Sequence, residues 1–261
     1  MKIATWNVNS LAVRLPQVID WLAANPVEAL CLQELKLSDE KFPVKQLADI
    51  GYHSAFFGQK TYNGVAVLSR KPARDVVKNI TGFADEQSRV ITLTLDSVLG
   101  DIRLVNGYFV NGQAPGSDKF AYKMRWLGGL RQALQSELQA HPRLVLLGDF
   151  NITVDDRDTY DAQGLRDTIH HTTEERQHFQ GLIDAGLTDA FRLFEQPEKS
   201  YSWWDYREFG FRRNRGLRID HILVSHALKP QVSSCIIDRL PRKNERPSDH
   251  APVVLDIATP A

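Results

Sequence analysis

One apolar stretch in the middle of the chain, followed at once by polar residues, places the strongest constraint on the fold. Four apolar residues begin at Leu144, and the chain then continues through a glycine to Asp149, Phe150 and Asn151. A short apolar run bounded by glycine is typical of a buried strand, and α/β sheets bind ligands beyond the carboxyl ends of their strands. Alternate residues of an extended segment share a face, so Asp149 and Asn151 should converge while Phe150 turns into the core. Asp and Asn are also common in turns, and this stretch alone favours a site and a turn about equally.

Other apolar runs meet polar residues in the same manner, which favours one shared site over a set of ordinary turns. Three strand-like segments end at Asn7, Glu34 and Tyr108, and two later segments open with acids. In a mixed sheet, parallel and antiparallel neighbours can bring such ends to one rim. The candidate site residues are Asn7, Glu34, Tyr108, Asp149, Asn151, Asp220, Asp249 and His250.

The order of predicted elements indicates an α/β fold with mixed sheets. Helical spacing marks residues 15–22, with Pro16 expected in the first turn, and a long amphipathic helix over 120–138. A further helix is predicted over 174–185, and the remaining apolar runs resemble strands joined by short loops. Both halves open with a strand that ends in an aromatic residue and Asn, which suggests a weak duplication. The duplication suggests two sheets packed face to face with helices outside, an αββα sandwich. Periodicity alone supports only an α/β fold with mixed sheets, and the layer count rests partly on a family resemblance.

Composition is that of an ordinary globular protein. The chain has 261 residues, of which 43% are hydrophobic and 25% charged, so we expect a single domain over 1–261. A monomer is a separate expectation that the composition does not decide. Cys31 and Cys235 lie in apolar runs without disulfide or metal spacing, which predicts core positions and a reducing compartment. The sequence shows no signal-peptide pattern and no apolar run of transmembrane length, so a cytoplasmic protein without a membrane partner is expected.

The candidate residues indicate a divalent cation and an acid–base pair. All but one offer oxygen atoms, which Mg²⁺ and Mn²⁺ prefer, and Glu34 and Asp249 with the neutral oxygen of Asn7 fit such a site. A solvated acid at a strand end is the plainest alternative for Glu34. A lone histidine beside an acid is more often an ordinary surface residue, but Asp249 and His250 are expected to open an apolar strand. We predict that Asp220 accepts a hydrogen bond from one ring nitrogen of His250 and raises the basicity of the other.

A basic and aromatic loop follows between residues 206 and 218. Five arginines there are opposed by one acid: Arg207, Arg212, Arg213, Arg215 and Arg218 against Glu208. Guanidinium groups suit phosphates and aromatic rings suit bases, although a solvated loop with core aromatics is the alternative. Together with the acids and the Asp–His pair, this loop predicts hydrolysis of a phosphate ester on a nucleic acid by an in-line attack of water.

Six segments share their order and spacing with one known family. They are Trp6-Asn7-Val8-Asn9, Leu32-Gln33-Glu34-Leu35-Lys36, Asn106-Gly107-Tyr108-Phe109, Gly148-Asp149-Phe150-Asn151-Ile152, residues 214–220 and residues 248–253. Over nearly the whole chain they resemble the exonuclease III family of apurinic/apyrimidinic (AP) endonucleases, a branch of the endonuclease/exonuclease/phosphatase superfamily. The segments around Asp149 and His250 are shared across the superfamily, whereas residues 202–220 are far more specific to the DNA-repair branch.

The resemblance implies a four-layer αββα fold and Mg²⁺-dependent cleavage of duplex DNA at abasic sites or 3′ ends, with Mn²⁺ also accepted. It implies that Glu34 is the principal metal ligand, beside Asn7 and Asp249. The number of bound metal ions, one or two, stays open. In a two-ion version three further residues would be ligands: Asp149, Asn151 and His250.

The resemblance also implies roles in the reaction. Asp149 would prepare the attacking water, Asn151 would hold the phosphate, and Tyr108 would lie near the phosphate or the leaving group. His250, paired with Asp220, would contact a phosphate oxygen or serve as the base. The implied DNA-binding residues are Asn111 at the DNA stack, Arg215 in the basic loop, and Trp203, Leu217 and Ile219 around a flipped-out abasic sugar.

One departure from the family bears on the substrate. The loop 168–173 carries His170 and His171 where the family often keeps smaller residues close to the abasic pocket. Two imidazoles would narrow that pocket. We hypothesise that abasic-site incision is weakened while 3′-exonuclease or 3′-phosphatase action survives.

Two other classes of function are alternatives to this one. One is a phosphatase of the superfamily acting on a non-DNA phosphate ester, such as an inositol phosphate or a lipid, or a secreted DNase. The basic and aromatic loop and the absence of a signal-peptide pattern disfavour it. The other is a catalytically inactive DNA-binding module, which is disfavoured because every proposed catalytic residue type is retained.

Overall fold

The computed structural model describes residues 1–258, in which fourteen strands and four α-helices form the frame of the molecule. The strands are β1 (Lys2–Asn7), β2 (Ala29–Gln33), β3 (His53–Phe57), β4 (Val65–Ser69), β5 (Arg74–Lys78), β6 (Val90–Ser97), β7 (Gly100–Tyr108), β8 (Leu144–Asp149), β9 (Leu187–Asp189), β10 (Trp203–Trp204), β11 (Gly216–Leu217), β12 (Asp220–Ser225), β13 (Val232–Ile237) and β14 (Val253–Ile257). The helices are α1 (Leu11–Ala24), α2 (Val44–Asp49), α3 (Asp118–Ala140) and α4 (Thr173–Asp184).

Twelve of these strands form two six-stranded sheets. The first has the order β13-β14-β1-β2-β4-β3 and the second β5-β6-β7-β8-β12-β9, while β10 and β11 form a separate two-stranded ribbon. The pairs β1–β2 and β7–β8 are parallel and the other pairs are antiparallel, so both sheets are mixed, as predicted. Each parallel pair brings two carboxyl ends to the same edge of its sheet.

Three apolar clusters show how the layers pack. Between the sheets, Val67 and Cys31 of the first sheet pack in one cluster with Leu104 and Leu147 of the second. Helices α1 and α2 cover the outer face of the first sheet, whereas α3 and α4 cover the outer face of the second. This four-layer arrangement confirms the predicted αββα sandwich, and both cysteines are free and buried as expected.

Two local expectations were wrong. Helix α1 begins at Leu11, so Pro16 lies beyond the first turn and removes one hydrogen bond from inside the helix. The buried Leu11 draws the helix start forward, since its backbone N–H donates to the Leu35 carbonyl at 3.0 Å. Likewise, Asp249 and His250 do not open a strand, because Pro252 offers no N–H and β14 starts only at Val253.

Within residues 1–258, none of the helices has both the length and the apolar character needed to cross a membrane.

Candidate active site

Strand ends from both sheets meet at one rim. Asn7 ends β1, Glu34 follows β2, and Asp149 ends β8 directly opposite Asp220 of β12 and beside Tyr108 of β7. The Asn7 amide donates from Nδ2 to Asp149 Oδ2 over 2.9 Å, and so joins the two sheets at this point. The structure thus gathers the strand-end residues that the sequence pattern singled out.

The glycine before Asp149 is required by close contact between two strands. Gly148 has a φ of 141°, and a Cβ there would lie 1.9 Å from the carbonyl oxygen of Gly107. Any other residue would push β8 away from β7 and move Asp149 with it. The position of this acid therefore depends on glycine next to it.

Three groups lie close enough together to hold a cation. One ligand atom each from Glu34, Asp149 and His250 can be chosen so that all lie within 4.8 Å of one another. The amide of Asn7 also donates to Glu34 Oε1 at 2.9 Å, which fixes both carboxylates from a single nitrogen. Lys36 places its ammonium 2.9 Å from Glu34 Oε2, so a positive charge already sits beside this acid. Two carboxylates on a partly open rim suit a hard divalent ion.

Asp249 lies beside this cluster but not within it. Its Oδ1 accepts from Asn9 Nδ2 at 2.9 Å and its Oδ2 from Trp203 Nε1 at 3.0 Å. The side-chain oxygen of Asn7 accepts from the Asn9 backbone at 3.0 Å, so its amide nitrogen faces the acids. The ligand roles of Asn7 and Asp249 stay predictions. Sequence reasoning missed Asn9 and Lys36, although both stand in segments that carried the resemblance.

His250 and Asp220 form the pair that the sequence suggested. His250 donates from Nδ1 to Asp220 at 2.9 Å, and its Nε2 lies 3.8 Å from Asp149 Oδ2. Burial lowers the pKa of His250, but the charges of Asp220 and Asp149 outweigh it and raise this pKa above its ordinary value. Burial raises the pKa of Asp149, where His250 opposes the rise and Asp220 and Glu34 add to it. The protonation of His250 and that of Asp149 therefore depend on each other in this buried environment.

Tyr108 is held as a neutral phenol. Burial raises the pKa of Tyr108 well above its usual range, and the nearby charges of Glu34 and Asp149 raise it further. The Arg89 guanidinium lies 5.0 Å from the ring centroid and partly offsets that effect. A protonated hydroxyl at this place can donate a hydrogen bond to an anion.

Asn151 reaches the site by a route that the sequence did not predict. Strand β8 ends at Asp149, and Asn151 has a left-handed backbone with a φ of 52°, so the two residues do not lie on one extended segment. Instead, the Asn151 backbone N–H donates to Asp149 Oδ1 at 3.0 Å. Asn111, an exposed residue, donates from Nδ2 to Asn151 Oδ1 at 3.2 Å. Phe150 is buried as expected and stacks on Phe109.

A cavity of about 480 Å³ lies next to the rim residues. Its lining includes Trp203, Leu217, Arg215, His170 and His171. In the two-stranded ribbon Trp203 lies opposite Leu217, and an isolated β-bridge pairs Trp203 with His250. The cavity wall formed by Trp203 and Leu217 is therefore connected to His250.

Ile219 is buried and does not line this cavity. Its carbonyl accepts from the Phe150 backbone at 2.8 Å, which ties this residue to the segment that follows β8. The role of Ile219 in DNA binding stays a prediction.

The basic loop is less uniform than its sequence suggests. Arg218 is buried, and it donates to Asp158 at 2.6 and 3.0 Å and lies 2.8 Å from Asp189, so it is a structural residue. Arg215 pairs with Glu208 at 3.0 Å on the surface. Arg212 and Arg213 are exposed. The surface charge that could meet a polyanion comes from the exposed members.

Comparisons with known proteins agree with this geometry. A family model described as Endonuclease/Exonuclease/phosphatase family matches residues 4–250. Exodeoxyribonuclease III of Haemophilus influenzae is 36% identical over 262 aligned positions, which cover 97% of this chain and 98% of that protein.

Solved structures are similar over almost the full length. The 3′-5′ exonuclease NExo of Neisseria meningitidis is 48% identical with a TM-score of 0.96, covering 99% of this chain and all of that one. A variant described as the 3′ phosphatase NExo bound to product DNA hairpin is 47% identical with the same TM-score and coverage. An AP endonuclease from Archaeoglobus fulgidus is 32% identical with a TM-score of 0.94, again covering 99% of this chain and all of that one.

Proposed function

Because this chain belongs to the endonuclease/exonuclease/phosphatase family, and within it to the exodeoxyribonuclease III branch, we propose that it is a DNA-repair phosphodiesterase that processes 3′ ends of duplex DNA. It removes 3′ phosphates and 3′ nucleotides more readily than it incises abasic sites. The observation that carries this preference is the imidazole of His170 in the wall of the cavity, beside Trp203 and Leu217.

His170 is a fixed part of that wall. Its Nδ1 donates to the Asn151 carbonyl at 2.6 Å, and its backbone N–H donates to Glu175 at 3.1 Å. Burial holds the pKa of His170 well below its ordinary value, so the ring is neutral. A ring anchored at both backbone and side chain does not swing away to admit an extruded sugar. A 3′ terminus requires no such extrusion, so this wall obstructs it less.

The residues of the rim supply the reaction at the phosphate. Asp149 accepts a proton from the attacking water while the water oxygen bonds to phosphorus. The bond between phosphorus and the DNA 3′ oxygen breaks on the opposite side, and that oxygen takes a proton from water to become a 3′ hydroxyl. Tyr108 and Asn151 donate hydrogen bonds to phosphate oxygens, while Asp220 keeps the imidazole of His250 oriented towards the same group. A 3′ phosphate and a terminal nucleotide present the same phosphoryl centre to these residues.

We assign a divalent ion to Glu34, with Asn7 and Asp249 beside it. The oxygen donors favour Mg²⁺, and Mn²⁺ should replace it. When bound, such an ion would offset the negative charge that develops on the phosphate.

Duplex DNA is the proposed partner, held by the exposed Arg212 and Arg213 and by Asn111, Arg215 and Trp203 near the site. The variant of the Neisseria protein bound to product DNA hairpin supports this choice. We also propose that the chain acts as one catalytic domain and as a monomer, which light scattering of the purified protein would check.

The test uses three end-labelled duplexes, which carry a 3′ phosphate, a recessed 3′ hydroxyl or an abasic analogue. With Mg²⁺ we expect fast release of phosphate, release of nucleotides and slow incision, and with EDTA no product. Asp149→Asn is the control and should abolish all three activities, since one group activates the water in each. Abasic incision as fast as phosphate removal would overturn the preference. A lack of Mg²⁺-dependent product from every duplex would overturn the function.

A further inference from the structure

A buried ion pair lies directly behind the amides at the rim. Lys123 of α3 and Glu175 of α4 are fully buried, and the Lys123 ammonium donates to Glu175 Oε1. Two charges lose their hydration in such a place, and apolar residues of similar volume often give equal or greater stability. Stability by itself therefore does not explain why both charges are present.

The remaining hydrogen bonds of Lys123 lead to the site. Its ammonium donates to the carbonyl of Asn111 at 3.1 Å and to that of Asn151 at 2.8 Å. An ammonium has three donors, and here all three are used. The side chains of these two asparagines also bond to each other, at 3.2 Å. One charge thus anchors the segments that follow β7 and β8 in a fixed relation.

Glu175 holds a third segment in the same arrangement. Its Oε1 also accepts from the His170 backbone at 3.1 Å, and its Oε2 accepts from Thr172 at 3.0 Å (backbone) and 2.8 Å (hydroxyl). The contacts with Thr172 form the capping box of α4, which is a structural role for Oε2. That cap does not account for Oε1, which faces Lys123 and the loop of His170.

Asn151 depends on such support. A φ of 52° lies in the left-handed region, which asparagine enters more readily than most residues but which is still uncommon, and such a backbone persists where its surroundings hold it. The Asn151 carbonyl accepts from both Lys123 and His170, while its Nδ2 donates to the Phe109 carbonyl at 3.1 Å. These bonds determine where the amide meets a phosphate.

We propose that Lys123 and Glu175 are positioning residues that fix the phosphate-holding amide of Asn151 through its backbone, without touching the substrate. This inference rests on the proposed 3′-end activity. Misplacement of Asn151 weakens contacts that matter most in the transition state, whereas DNA binding is spread over a wide surface. Loss of the pair therefore lowers kcat far more than it raises KM.

The test is the double variant Lys123→Met/Glu175→Gln, assayed on a duplex with a 3′ phosphate. It keeps both volumes, retains a capping-box residue at position 175 and leaves no unpaired buried charge. We expect a thermal unfolding midpoint near that of the wild type, a kcat about 10- to 100-fold lower, and a KM changed less than about threefold. A folded double variant with kcat within about threefold of the wild type would overturn the inference.

The matched control is Arg103→Met. Arg103 is also buried and pairs with Glu137 at 2.7 Å, but it lies near the start of β7, at the far end from Tyr108. The variant Arg103→Met should lower the unfolding midpoint and leave kcat unchanged. A loss of kcat equal to that of the double variant would mean that breaking any buried ion pair slows the enzyme. Should the double variant fail to fold, Glu175→Gln alone is assayed, where an unchanged kcat again overturns the inference. A wild-type protein inactive on every duplex would instead overturn the proposed function.

Discussion

His250 Nδ1 lies 2.9 Å from Asp220 Oδ2, and both side chains are buried at the rim where two sheets meet. A carboxylate can only accept at this distance, so Nδ1 carries a proton and Nε2 is the nitrogen turned towards Asp149. In the proposed reaction, Asp220 therefore determines which nitrogen of His250 faces the phosphate.

Asp220→Asn should lower kcat for removal of a 3′ phosphate by about 10²- to 10⁴-fold, the range that a misdirected acid–base group commonly costs. An amide can donate to Nδ1 and so favour the opposite tautomer. Steady-state kinetics at saturating DNA measures the loss. The double variant Asp220→Asn/His250→Ala should be little slower than His250→Ala alone, because the acid acts through the ring. Additive losses would contradict this.

Replacing His170 with glycine and His171 with serine should raise abasic incision by about tenfold or more relative to 3′-phosphate removal, because the cavity beside Trp203 widens. Glycine also suits the backbone at His170, where φ is 72°. Incision of an abasic duplex and release of phosphate are measured in parallel. His226→Ser, at an exposed position, is the control. An unchanged ratio would reject the narrowing of the pocket by these imidazoles.

Glu34→Gln should raise the Mg²⁺ concentration needed for half-maximal activity by about tenfold or more, because one charged ligand becomes neutral. Titrating Mg²⁺ at fixed DNA measures the change, and Mn²⁺ binding followed by electron paramagnetic resonance gives a readout independent of turnover. Removal of the ion with EDTA should stop the wild type, and added Mg²⁺ should restore it. If Glu34→Gln left metal binding unchanged, the assignment of the ion to this acid would be wrong.

The buried cluster of Asp158 and Arg218 predicts how stability depends on pH. Although burial raises the pKa of Asp158, the Arg218 guanidinium outweighs it and lowers this pKa to about 2. The folded pKa is below the unfolded value, so this stabilisation is present above about pH 4 and is lost as the pH falls towards 2. The pH-dependent part amounts to about 2 kcal/mol in the free energy of unfolding.

Asp158→Asn should therefore lower the free energy of unfolding near neutral pH and flatten its decline between about pH 4 and 2. Urea unfolding at several pH values measures both effects. Asp20→Asn, at an exposed position on α1, is the control for removal of an acid. An acid limb as steep as that of the wild type would show that Asp158 is not the group responsible.

Much of the fold could be predicted, because strands and amphipathic helices leave a periodic pattern in the sequence. The run from Leu144 to Asp149 and the acid at Asp220 were placed correctly, since each lies at the end of a strand. Asn151 and Pro16 were misplaced, because a left-handed turn and an early helix start depend on tertiary bonds that periodicity does not record.

The contacts that support the site could not be predicted from the sequence. Lys123 stands at an inward position of an amphipathic helix, and nothing in its neighbourhood along the chain points to Asn151. From the sequence, Glu175 is expected to be an ordinary capping residue of α4. Arg218 looked like part of a DNA-binding loop, and its partner Asp158 is 60 positions away. Such pairings arise only when distant segments meet.

The amide of Asn7 reaches from one sheet to Asp149 of the other, the carboxylate that we propose activates the water. The turnover rate should consequently depend strongly on how the two sheets are aligned. A substitution deep between the sheets, far from any substrate, should slow the enzyme at temperatures where spectroscopy still reports a fully native protein.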